Sequence, residues 1–207
     1  MKRIYTIGHS TEPTECLINR LRQYQITCVV DVRSAPYSQF AHQYNGNFIK
    51  GILHEAQIVY LHMGKEFGAR QDSERYYNAE GILDFEAYQK APTFQKGFTR
   101  IENGIMKGYN IAFMCSEKDP IDCHRNIMVA RYFFNHGYSI GNIMIDGTVQ
   151  EQEEIEERLL DMYFPQRNEL NLFEMLEGKK EKSQYLSEAY HLRNMEIGYH
   201  LGMEEKL

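Results

Sequence analysis

No apolar stretch in this chain runs beyond a few residues, far short of the roughly 20 needed to span a bilayer, and the opening MKRIYTIGHS lacks an apolar signal-peptide core. A cytosolic protein with no membrane partner is expected. Cysteine is sparse: residues 16, 28, 115 and 123 are too few and too unevenly spaced for a disulfide framework in 207 residues, so reduced thiols are expected. A basic excess is also missing. The net charge is −6, with 16 Lys plus Arg against 15 Asp plus Glu in residues 1–149 and 7 against 14 in residues 150–207. This disfavours a broad nucleic-acid-binding surface and leaves a small nucleotide or a local contact open. There is no internal repeat, no low-complexity tract beyond acidic runs that read as solvated helix faces, and no linker rich in Gly, Ser or Pro before Gln150. The expected organisation is an α/β domain over 1–149 and an acidic helical extension over 150–207 packed on it.

Five short β-like runs alternate with helical periodicity: Arg3 to Gly8, Ile26 to Val32, Val59 to Met63, Ile111 to Ser116 and Ser139 to Ile145. The pattern predicts a mostly parallel five-stranded sheet with helices on both faces, a Rossmann-like three-layer sandwich, plus a C-terminal helical extension. Pro13 opens a helix carrying Leu17, Leu21 and Tyr24, Asn47 caps a second, and Thr93 starts one that Gly108 ends. EQEEIEERLLDMYF reads as a helix with acids in its first turn, with one or two further helices beyond Pro165.

The chemistry concentrates in CSEKDPIDCHR, Cys115 to Arg125, just after the fourth strand. Asp122 reads as an N-cap, placing Cys123, His124 and Arg125 at the first three helical positions, with Ile127, Ala130 and Phe134 as the buried face and Gly137 as the stop. Polar residues stand at every strand end: His9 and Ser10, then Asp31, Arg33 and Ser34, then His62, Lys65 and Glu66, then Cys115 and Glu117, then Asp146. Their convergence would make a pocket at the carboxyl edge of the sheet. Three chemistries fit the segment. The helix start with His124 and Arg125 could hold an anion. Cys123 or Cys115 could be a thiolate nucleophile with His124 or His9 as base. Cys115, Cys123 and His124, with His9 as a possible fourth, could ligate zinc, although adjacent residues of a regular helix converge poorly on one ion. The phosphatase spacing of arginine six residues after cysteine is absent, since position 121 is Ile, and there is no CxxC pair. Cys16 and Cys28 read as core, and His42, His54, His136, His191 and His200 as surface or satisfied histidines. The loop Ser34 to Asn47, rich in aromatic and amide groups, reads equally as a substrate lid or a packed loop.

TIGHS at Thr6 to Ser10, VVDVRSAPYS at Val29 to Ser38, YLHMGKEFGAR at Tyr60 to Arg70 and CSEKDPIDCHR together resemble the bacterial and archaeal family of domain of unknown function 488, over about residues 3 to 147. The resemblance implies an α/β domain in an intracellular prokaryotic protein and names no activity. Family members carry a doubled glycine where this chain has Phe67, Gly68 and Ala69, and a histidine where it has Asn142. The resemblance therefore supports neither a close glycine-mediated approach at Ala69 nor a chemical role for the last strand.

The leading expectation is a small enzyme of hydrolase or transferase type acting on an anionic, phosphate-bearing or nucleotide-like substrate. His9, Cys115, Cys123, His124 and Asp31 are its candidate catalytic residues, and Ser10, Arg33, Ser34, Glu117 and Arg125 its candidate binding residues. This assignment includes no metal and names no cofactor. The alternatives are a non-catalytic module binding a nucleotide or nucleic-acid end, with Tyr37, Phe40 and Tyr44 stacking on bases, and a metal-dependent enzyme with Cys and His ligands.

Overall fold

A computed structural model describes residues 2–168 and 180–202. Within them lies an α/β fold with a six-stranded sheet in the order β3-β2-β4-β1-β5-β6. Its strands are β1 (Arg3–Gly8), β2 (Cys28–Asp31), β3 (Val59–His62), β4 (Ile111–Cys115), β5 (Ser139–Ile143) and β6 (Val149–Glu151). All pairings are parallel except β5 with β6. The central strands β2 and β4 are buried throughout, as both-faces-covered parallel strands must be, and this is why their sequences are continuous apolar runs.

Alternate residues of those strands feed two cores. Val29, Ala112 and Met114 face α1 (Thr14–Gln23) and α2 (Gly46–Glu55), meeting Leu17, Leu21, Ile49 and Leu53. Cys28, Val30, Phe113 and Cys115 face the larger layer of α3 (Gly64–Phe67), α4 (Phe85–Gln89), α5 (Pro92–Met106), α6 (Arg131–Asn135), α7 (Gln152–Tyr163) and α8 (Lys182–Ile197). Phe67 sits at the centre of that layer, edge-on to Phe94, Phe113 and Phe133. A buried phenylalanine of this kind contributes about 1.5–3 kcal/mol.

Several expectations need correction. The sheet has six strands rather than five, because Asp146 and Gly147 (φ +84°) turn the chain back and Val149–Glu151 adds an antiparallel edge. Asp146 spends its carboxylate on Thr148 in that turn, so the fifth strand brings no acid to the shared edge. The second helix begins at Gly46 with Asn45 in the cap position expected of Asn47. The helix after β4 starts as a π-helical segment, Arg125–Ala130, whose six residues are all buried, so it presents no amphipathic face. Phe133 is the fully buried aromatic of the helix that follows it, and Phe134 is half-buried. No helix among the described residues is long and apolar enough to cross a membrane. Part of the expected helical region beyond Pro165 lies outside the described residues.

Candidate active site

β4 ends at Cys115, level with Gly8 of β1, and the chain then folds over the sheet edge. Gly8 is required there: a Cβ would stand 2.0 Å from the Glu117 carbonyl. Asp119, not Asp122, caps the short 3-10 turn Pro120–Asp122 by accepting from the Ile121 amide at 3.0 Å. Cys123 follows in extended geometry (φ −136°, ψ 134°), and helical dihedrals begin at His124. The expected capping role of Asp122 thus passes to Cys123. Its carbonyl accepts from the amides of Asn126 and Ile127, both at 3.0 Å, and its Sγ accepts from the Arg125 amide at 3.5 Å. Asp122 instead pairs with Arg193 of α8.

This turn gathers three reactive groups. The sulfurs of Cys115 and Cys123 and a ring nitrogen of His124 lie within 4.8 Å of one another, with Cys115 Sγ 3.9 Å from His124 Nδ1. His124 Nε2 donates to the Val32 carbonyl at 3.0 Å, which leaves Nδ1 facing the sulfurs. Glu117 is exposed overall, yet its Oε2 turns inward, accepting from Cys115 at 3.0 Å and lying 2.9 Å from the Cys123 sulfur. Removal from water, then the charge of Cys123, pushes the Glu117 carboxyl up to about 7. Burial opposes ionisation of Cys123, but the hydrogen bond from Cys115, the Arg125 guanidinium and His124 outweigh it and hold its thiol well below the ordinary value. Burial and the neighbouring Cys123 raise Cys115, so Cys123 is the more acidic thiol of the pair. Burial also works against a charge on His124, but its hydrogen bond and charge interaction with Cys123 raise its pKa.

A second group stands beside the first. Asp31, at the end of β2, holds Arg33 in a fork: Nε donates to Oδ1 at 2.9 Å and Nη2 to Oδ2 at 2.6 Å. Tyr60 donates to Asp31 at 2.7 Å, and Arg33 Nη2 also donates to the Tyr44 carbonyl at 2.8 Å. Arg33 Nη1 lies 3.2 Å from His9 Nε2, while His9 Nδ1 donates to the Ser10 carbonyl at 2.6 Å. Burial and the Arg33 charge push His9 down to about 4. It is neutral, stacked on Tyr44 at 3.9 Å, and acts as an acceptor for Arg33. Of the five guanidinium N–H donors of Arg33, four are engaged, and the last, on Nη1, has no partner among the described residues.

The ten candidate residues divide into two shells around a cavity of about 440 Å³. Arg33, Ser34, Cys115, Glu117, Cys123 and His124 line it. His9, Asp31 and Arg125 are buried away from its lining. Ser10 is also outside the lining; it takes φ 48° and donates its amide to the Ser116 carbonyl at 2.9 Å. Arg125 is wholly buried, and its Nη groups go to the carbonyls of Glu117 at 2.7 Å and Lys118 at 3.3 Å. It pins the loop and sets a positive charge that favours ionisation of Cys123, with no carboxylate bonded to it among the described residues. His62, Lys65 and Glu66 line a neighbouring cavity of about 760 Å³ that shares Ser34 and Ala35.

Other expectations shift as well. Tyr44 is buried under His9 and offers no face to a base, whereas Tyr37 lines the cavity and Phe40 is 82% exposed. Cys16 is exposed rather than core. The close glycine approach falls at Gly68, where a Cβ would lie 2.4 Å from the Gly64 carbonyl, and Ala69 lines the cavity. Asn142 joins a buried amide network with Thr6, Asn126 and Gln152. The largest omission is the far wall, Ile197 to His200. It is held by the Leu83 amide on the Tyr199 carbonyl at 3.0 Å and by a bridge between Ile82 and His200. No local signal marks those residues, since long-range docking alone brings them there.

No curated protein and no solved structure matches the chain. A family model described as domain of unknown function DUF488 matches residues 13–132, which takes in Asp31, Arg33 and the whole Cys115 to Arg125 segment, and the chain belongs to that family.

Proposed function

We propose that this chain is a small cytosolic enzyme of thiol type, with Cys123 as nucleophile, acting on a compact substrate that carries an acceptor or anionic group. The carrying observation is the convergence of Cys115, Cys123, Glu117 and His124 on one cavity beside the spare N–H of Arg33. The cytosol is the compartment in which such thiols stay reduced. Cys123 sulfur attacks an electrophilic carbon or phosphorus. A bond forms to sulfur, the bond to the leaving group breaks, and the leaving group takes the proton held at His124 Nδ1. Water then cleaves the adduct, with Nδ1 accepting its proton. The Arg33 donor and the cavity wall orient the substrate. Asp31 and His9 hold Arg33 in place.

This chemistry differs from the sequence expectation in what Arg125 does. Arg125 stabilises the thiolate rather than touching substrate. A trapped adduct tests the proposal. After incubation with a pool of small acidic metabolites, intact-mass analysis should find an added mass on the peptide containing Cys123, absent in Cys123→Ser. An adduct that survives in that variant, or none in either protein, would overturn it.

A further inference from the structure

We propose that Cys115, Cys123 and His124 bind one zinc-class divalent ion, with its fourth position open to the cavity. The inference goes beyond the thiol-enzyme proposal and needs only the geometry. The three ligand atoms lie within 4.8 Å of one another, with Cys115 Sγ 3.9 Å from His124 Nδ1; bonds of about 2.0–2.3 Å at tetrahedral angles need separations of roughly 3.3–3.8 Å, so side-chain shifts of about 1 Å close the set on one ion. Two sulfurs and an imidazole form a soft donor set that favours zinc over magnesium or calcium. The difficulty posed by adjacent Cys123 and His124 disappears, because Cys123 stands in extended geometry ahead of the helix and His124 within it.

Outer contacts orient each ligand. His124 gives its Nε2 proton to Val32, leaving the Nδ1 lone pair for the ion, and the Arg125 amide supports the Cys123 sulfur. All three ligand residues line the cavity, so an exchangeable group can approach from that side. Glu117 lies against both sulfurs but outside the three-atom cluster, where it can hold a water bound to the ion. Binding involves no redox change: three bonds form to the ion, and the two protons shared among the two sulfurs and Nδ1 leave. Metal and electrophile then compete for the same Cys123 electron pair.

The full chain, reduced and stripped with a chelator, is titrated with cobalt(II). The expected result is one equivalent bound, with a sulfur-to-cobalt charge-transfer band and tetrahedral visible absorption, both abolished by one equivalent of zinc. Cys115→Ser, Cys123→Ser and His124→Ala should each weaken binding by at least about 100-fold, beyond the typical effect of losing an outer partner, whereas Cys16→Ser should not. A wild-type spectrum without the charge-transfer band, or a band retained in Cys123→Ser, overturns the proposal. Thiol reactivity of the metal-free protein is read separately, so failure of the metal site and failure of the nucleophile are distinguishable.

Discussion

His9 shows how a residue that reads as chemistry in sequence can become architecture in the fold. Its ring is sealed between Tyr44 and Arg33, and its neutral state is what lets Nε2 accept from a guanidinium. Protonation in the folded state is depressed to about 4, while the unfolded chain protonates near 6.5. Between those values the unfolded chain binds more protons. The stability due to the neutral ring is therefore full above about 6.5 and is lost as the pH falls towards 4, by about 3 kcal/mol. Denaturant melts of wild type and His9→Gln at several pH values should show their stability difference shrinking by that amount between pH 7 and 4. A pH-independent difference would contradict it. The opposite-signed contribution of Glu117 is common to both proteins and cancels. Of the ten candidates named from sequence, six line the cavity and four do not. The sequence could not tell Arg33, with one donor to spare, from Arg125, with none facing the cavity.

The decisive element is the turn and helix after β4. Strand positions were readable because parallel strands need continuous apolar runs, and β1 begins and ends where the pattern says. The cap was not, because Asp119 and Asp122 are equally good capping residues and only the fold shows that the first closes a 3-10 turn. One residue of displacement put Cys123 at the helix entrance and made its sulfur the cap. The DG pair at Asp146 and Gly147 is a hairpin signal that the five-strand expectation left out. Cys123→Ser should keep the cap and lie within about 0.5 kcal/mol of wild type, whereas Cys123→Ala should lose about 1 kcal/mol. Urea denaturation of the two variants checks this, and equal losses would contradict the capping role.

Across the whole molecule, the candidate cavity is completed by residues far from its other walls in sequence. α8 is anchored by Asn194, whose side chain accepts from the Phe85 amide and donates to the Leu83 carbonyl, both at 2.8 Å. Arg193 adds the Ile121 carbonyl at 3.0 Å and the Asp122 carboxylate. α8 is thereby tied to the start of α4 and to the turn after β4, and Gln152 and Tyr190 tie it to the amide network under β5. Asn194→Ala would strand two buried backbone groups and should cost about 3 kcal/mol, lowering the melting temperature by roughly 10 °C. A shift below about 3 °C would show that α8 docks by other means.

The central claim is that the turn between β4 and the helix makes Cys123 a thiolate. It is tested most directly by limited iodoacetamide labelling of the metal-free protein at neutral pH, with peptide mapping of the four cysteines. Cys123 should label first, ahead of the exposed Cys16, and His124→Gln should slow it at least about tenfold. Labelling of Cys16 first, with Cys123 inert and indifferent to His124, would contradict the account.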